Sequence, residues 1–224
     1  MDQFPFAISL NFIITTIVTV LLFFRAANKS TTVLLILFFW LVLQMAVALT
    51  GFYTVYKGIP PRFLLLAVPA VLFVIGLFVT RRGRLFVDSL DVQMLTILHI
   101  VRLPVELILY SLFLQKQLPE MMTFSGRNYD ILAGLTAPLI YFFVFVKGAI
   151  GKKGLLAWNI VCIGLLLNIV INAVLSVPSS FQQFSFEQPN VAILYFPLVW
   201  LPSCVVPIVL LSHLAVIRRV VREL

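Results

Sequence analysis

Residues 98–110 read LHIVRLPVELILY and set three ionisable side chains, His99, Arg102 and Glu106, inside an otherwise apolar run. These types suit proton transfer and anion recognition. An imidazole exchanges protons near neutral pH, and a carboxyl group does so when its surroundings tune it. A guanidinium holds a carboxylate or phosphate through two parallel hydrogen bonds. At helical spacing Thr96, His99, Arg102, Glu106 and Tyr110 fall within about 120° of one another, and the central three within about 60°. Pro104, in the middle of the stripe, cannot donate to the carbonyl of Ile100, so a kink with a bare acceptor is expected beside the charges.

Two readings of the stripe compete. It is a ligand-binding site, or Arg102 and Glu106 neutralise each other as an i, i+4 pair that ties helices together. The connection that follows, QLPEMMTFSGRNYD, brings further charges to the outer mouth of the site. There Asn128 reads as a helix N-cap, Asp130 suits the positive end of a helix dipole, and Arg127 sits beside Thr123, Ser125 and Gly126 in what could be a ligand-facing turn. The candidate ligand-binding set is therefore His99, Arg102, Glu106, Tyr110, Arg127 and Asp130. No residue is assigned a catalytic role. With two Cys and two His no metal-ligand spacing arises, and no metal or cofactor is expected. A haem held by His99 and His213 fits poorly: counted along their spans, His213 falls about 13 Å cytoplasmic of its span's centre and His99 about 6 Å from its own. His213 is read as interfacial.

The elements that position these residues follow from composition. With 62% hydrophobic and 11% charged residues the chain is an integral membrane protein. The apolar character is continuous within each stretch, which excludes the alternating pattern of a β-barrel and leaves helices. Seven stretches are long enough to span: about 6–24, 33–56, 63–80, 92–114, 130–146, 155–176 and 191–216. The expected fold is an all-α seven-transmembrane helical bundle, one polytopic domain over 1–224.

Charge sets the orientation. Eleven of the Lys and Arg residues fall in one alternating set of connections and in the carboxyl-terminal segment, and Lys57, Arg62, Lys116 and Arg127 in the other. The positive-inside rule then puts the amino terminus outside and the carboxyl terminus in the cytoplasm. The net charge of +8 is a topology signal, and nucleic acid is not an expected partner. The amino end carries Asp2 and no cation before its apolar run, so no cleaved signal is expected.

The loop VPSSFQQFSFEQPN carries Phe181, Phe184 and Phe186 as interfacial anchors, and Asn190 reads as the cap of the seventh span. Gln44, Asn168, Asn172 and Ser176 suit interhelical hydrogen bonds of about 0.6–2 kcal/mol. Pro197, Pro202 and Pro207 predict an irregular seventh helix whose freed carbonyls line a cavity.

In topology alone the arrangement resembles the sugar-transporting SWEET family. There the fourth helix is a linker, whereas here the fourth span carries the charges. The leading functional expectation is a protein of the cell (inner) membrane that binds or transports a small anionic or zwitterionic molecule, with the lipid bilayer as its other partner. The alternatives are a membrane-embedded enzyme acting on a lipid or lipid-linked substrate, for which no nucleophile elbow or HExxH motif is present, and a seven-helix sensor or structural subunit. A retinal protein is disfavoured because the seventh span has no Lys.

Overall fold

The structure, a computed structural model, describes residues 4–56 and 58–224; Asp2 and Lys57 lie outside the described residues. Among the described residues regular structure is helical throughout, and five helices are long and apolar enough to cross a membrane. They are Phe6–Ala26 (α1), Thr31–Leu49 (α2), Val92–Leu114, Lys152–Ser176 (α8) and Leu201–Glu223. A sixth is possible if Leu64–Val79 (α3) and Arg81–Ser89 (α4), bent by 94°, count as one span. Large side chains such as Phe39, Leu72, Leu107, Leu139 and Ile171 point outward, as lipid-facing residues do. This is an integral membrane protein.

Local chemistry explains where the helices break. Thr80 is extended and its hydroxyl accepts from the Gly83 amide, so α4 starts as a new helix instead of continuing α3. A Cβ on Gly83 would collide with the backbone of Leu77, so only glycine permits that turn. Asp91 then caps the next helix, accepting from the amides of Gln93 (2.8 Å) and Met94 (3.2 Å).

Within Val92–Leu114 the α-helical ladder holds over Val92–Leu98 (α5) and Arg102–Leu114 (α6), with a 3₁₀ turn at His99–Val101 between them. Pro104 accounts for the turn, because its ring displaces the carbonyl of Ile100 and offers it no hydrogen. A parallel break follows Pro138, where Ile131–Tyr141 (α7) passes into a π turn at Phe142–Val146. Another opens the last helix, where a π turn at Leu201–Val205 precedes Val206–Glu223 (α9). In a regular helix the carbonyl of Ser203 would be satisfied by residue 207, which is Pro207. The indole of Trp40 on α2 donates to it instead, at 2.8 Å.

The stretch before this break differs from the expected regular helix over 191–216. Residues 191–200 form a short 3₁₀ turn at Ala192–Leu194 and further turns, consistent with Pro197 and Pro202. Asn190 therefore caps no long helix; its backbone N–H donates to the carbonyl of Ser176 at 2.8 Å and its side-chain Nδ2 to that of Ala173 at 3.4 Å.

One end of the molecule gathers the basic connections. The Asn28 side chain donates to the carbonyl of Ser89 and the Asp91 amide to that of Ala26, joining the α1–α2 turn to the α4–α5 turn. Asp88 accepts from Arg218 and Arg222, while Lys152 and Arg219 pair with Glu223. At the far end the loops before α7 and after α8 bind each other: Gln188 donates to the Leu118 carbonyl at 2.6 Å, and Ser185 and Ser176 donate to the Met121 sulfur. Phe181 and Phe186 remain exposed there.

Candidate functional site

The helix break at His99–Val101 turns the polar stripe into the centre of the bundle, where His99, Arg102 and Glu106 are all buried. Arg102 meets Asp130, with Nε 3.2 Å from Oδ2. The approach depends on Gly134, one turn along α7, where a Cβ would lie 2.8 Å from the Leu103 nitrogen and 3.3 Å from the Arg102 Cβ. Pro138 also deprives the Gly134 carbonyl of its helical donor. Arg102 and Glu106 form no ion pair. Both oxygens of Glu106 accept from Asn128 Nδ2 at 2.7 Å, and that nitrogen also donates to the Met122 carbonyl at 3.1 Å.

These contacts give new places to Asp130, expected at the outer mouth, and to Asn128, expected as an N-cap. Asn128 and Asp130 touch side chains in the middle of Val92–Leu114, so the segment leading into α7 descends into the bundle, with Leu118, Met122 and Thr123 buried along it. Non-helical backbone at that depth is tolerated where protein surrounds it. Asn128 is therefore not a simple N-cap: its Oδ1 accepts from the Asp130 amide at 3.0 Å while its nitrogen serves Glu106. Asp130 takes the N-cap position with no side-chain cap bond, because its carboxylate is turned to Arg102.

The second half of the site comes from α8 and α9. His213 is fully buried and stacks on His99, ring centroids 3.8 Å apart and planes within 13°. Its Nδ1 lies 2.8 Å from Asn159 Oδ1; with Asn159 Nδ2 donating to the Leu155 carbonyl, the geometry makes Nδ1 the donor and leaves Nε2 an acceptor. Trp158 packs its ring against both imidazoles at 5.5 and 5.8 Å and donates from Nε1 to Thr136 on α7. Cys162, buried one turn further along α8, lies within electrostatic reach of Arg102 and Asp130.

The expectation that His99 and His213 lie at different depths is thereby corrected. The last helix begins near Leu201, which puts His213 next to its middle and at the level of His99. Stacked rings leave no room for a haem between them. Among the described residues no group of three or more His, Cys, Asp or Glu side chains could hold a metal ion.

The six residues singled out from sequence thus divide. His99, Arg102, Glu106 and Asp130 meet in one buried cluster. Tyr110 lies one turn beyond Glu106 on α6 and packs on Phe124, ring centroids 4.7 Å apart. Arg127 is exposed and touches the cluster through neither charge nor ring; its carbonyl accepts from Asn168 at 2.8 Å. Asn128, Asn159, Trp158 and His213 were missed as site residues.

Much of the cluster's bonding capacity is unspent. Both His99 nitrogens, Arg102 Nη1 and Nη2, Asp130 Oδ1 and His213 Nε2 are buried without a hydrogen-bond partner in the protein. One fixed cation faces two carboxyl groups and two imidazoles there.

Comparison with known proteins places this site in a family. A sequence profile described as a domain of unknown function (DUF8737) matches residues 59–221. The chain belongs to that family. Every member of the buried cluster lies inside the matched segment, while α1 and α2 precede it. No curated protein and no solved structure matches the chain.

Proposed function

We propose that this protein binds, and carries across the cell membrane, a small zwitterionic or anionic molecule recognised by the free polar atoms of Arg102, Asp130, His99 and His213. The observation that supports this reading is the unspent hydrogen-bonding capacity of those four side chains inside the bundle. Buried polar groups are almost always partnered, and leaving one unpartnered costs about 1–3 kcal/mol, so a set of this size calls for a polar occupant. The two carboxyl groups beside Arg102 favour a zwitterion: its acidic part faces the guanidinium and its ammonium part Asp130 or Glu106. A helix broken at His99–Val101 within the site, with non-helical backbone beside it at Asn128, is a feature alternating access uses, and two further helices are broken at Phe142–Val146 and Leu201–Val205.

In this reading seven segments cross the membrane, with the amino terminus outside and the basic end in the cytoplasm. The fifth crossing is part helix, α7 and its π turn, and part the descending segment 118–130. A second reading is a membrane-embedded enzyme, favoured by one contact: Asn159 orients the His213 ring so that Nε2 is available as a base.

The test is a melting screen of the purified protein against amino acids, carboxylates and phosphorylated headgroups. A ligand that binds only the folded state at 100 times its Kd adds about 2.7 kcal/mol. The stabilisation should vanish in Arg102→Gln and His99→Gln and survive in Arg127→Gln, which lies outside the cluster. A hit that survives all three removes the site assignment, and a hit that is chemically converted replaces carrier by enzyme.

A further inference from the structure

A separate feature lies away from the polar cluster. An apolar cleft of about 890 Å³ opens between α2 and α3, floored by α9; Ile36 and Leu43 form one wall, Phe73 the other, and Ile208 the floor. Only Gln44 and Ala48 of α2 are buried, so this helix stands off the bundle, pinned by the indole bonds of Trp40 to the Ser203 carbonyl and of Trp200 to the Leu41 carbonyl. At the basic end the cleft finishes at Ser30 and Phe86.

Charge at that end is uneven. Asp88 and Glu223 are occupied by Arg218, Arg222, Arg219 and Lys152, and Asp91 caps α5. Lys29 immediately precedes Ser30, and Arg82 lies one turn before Phe86 on the same face of α4. Both are exposed and, among the described residues, neither has an ion-pair partner.

We infer that this cleft is a binding site for one anionic phospholipid of the bilayer, its acyl chains between α2 and α3 and its phosphate between Lys29 and Arg82. Basic pockets between helices at a membrane's cytoplasmic face hold anionic headgroups in this way. A second copy of the chain fits less well. Two copies in one bilayer share an orientation, so packing across the cleft would bring their uncompensated cations together. The site requires only that the basic end face the headgroups, and it is independent of the ligand proposed for the polar cluster.

The experiment compares phosphatidylglycerol with phosphatidylcholine of identical chains, added to the full-length protein in detergent. Bound lipid is counted by native mass spectrometry and stability is followed by melting. The wild type should retain one phosphatidylglycerol and melt higher with it. Exposed cations near a membrane contribute about 1 kcal/mol each, so Lys29→Gln with Arg82→Gln should weaken that retention roughly 30-fold. The melting temperature in detergent alone should not change. Removing two cations elsewhere at the same end, Lys147→Gln with Lys153→Gln, should leave retention intact, and Ala70→Phe, which fills the cleft, should abolish it. Equal retention of the two lipids, or no loss in the Lys29 and Arg82 variant, overturns the proposal. A dimer that Ala70→Phe dissociates overturns it in favour of a second copy.

Discussion

Arg102 is buried at the middle of its span, with the Asp130 carboxylate at 3.2 Å and the Asn128-bound Glu106 one helical turn away. Placing an Arg at that depth costs about 2.5–3.5 kcal/mol, and stranding one half of a buried pair costs about 3–5 kcal/mol. Arg102→Met and Asp130→Asn should therefore each lower the melting temperature strongly, while the double variant loses much less than the sum. Arg102→Met combined with Glu106→Gln should show no such relief; relief there, and none with Asp130→Asn, would show that the pairing is intrahelical after all. The sequence made the intrahelical pair attractive because spacing is visible and tertiary approach is not. His99, Arg102 and Glu106 could be read as one face from their period alone. Asn128 looked like a cap because its position before α7 suits capping, and nothing local reveals a carboxylate on another helix. Sequence misplaces His213 because its depth is counted from residue 191, whereas the turns around Pro197 delay the last helix to about Leu201.

The elements that build the site are set by small steric choices. Gly134 lets α7 approach α6 closely enough for Asp130 to reach Arg102. Gly134→Ala normally favours a helix by about 0.8–1 kcal/mol, yet here the added Cβ would meet backbone at 2.8 Å, and overpacking costs about 1–3 kcal/mol. The steric effect should win. The variant is expected to melt lower than wild type and to bind any ligand of the cluster more weakly; a higher melting temperature would mean that α7 shifts freely.

The junction of α4 and α9 rests on charge. The Arg218 guanidinium, bonded to Asp88 through Nε at 2.7 Å, and then Arg222, hold that carboxyl down at about 2, against an ordinary 3.8. A carboxyl group depressed on folding adds stability that is full above its unfolded pKa and is lost as pH falls through the folded one. Wild type should therefore lose stability relative to Asp88→Asn between about pH 4 and about pH 2. Added salt should shrink the difference, since these groups are partly exposed. Parallel acid curves for the two proteins would remove the junction's electrostatic role.

For the molecule as a whole, the number of crossings turns on one segment. Helices α1, α2, α5–α6, α8 and the last helix are long enough by themselves, but Ile131–Val146 is not. At about 1.5 Å per residue it covers roughly 24 Å of a hydrocarbon core about 30 Å thick. Under the proposed seven-crossing reading the remaining depth is traversed by the segment 118–130, which is buried at Leu118, Met122, Thr123 and Asn128, exposed at Glu120 and Arg127, and bonded to Glu106 through Asn128. Cysteine labelling can test this directly, because the native Cys162 and Cys204 are both buried and should stay silent. Single cysteines at the exposed positions Glu120, Lys147, Lys153 and Ser180 report the two ends of this crossing and of α8. In intact cells an impermeant maleimide should label Glu120→Cys and Ser180→Cys and reach Lys147→Cys and Lys153→Cys only after permeabilisation. Labelling of Glu120→Cys and Lys147→Cys from the same side would mean that this segment enters and leaves by one face. The polar cluster would then be served by a re-entrant loop, the basic connections would no longer all share one face, and the orientation drawn from them would fail with it.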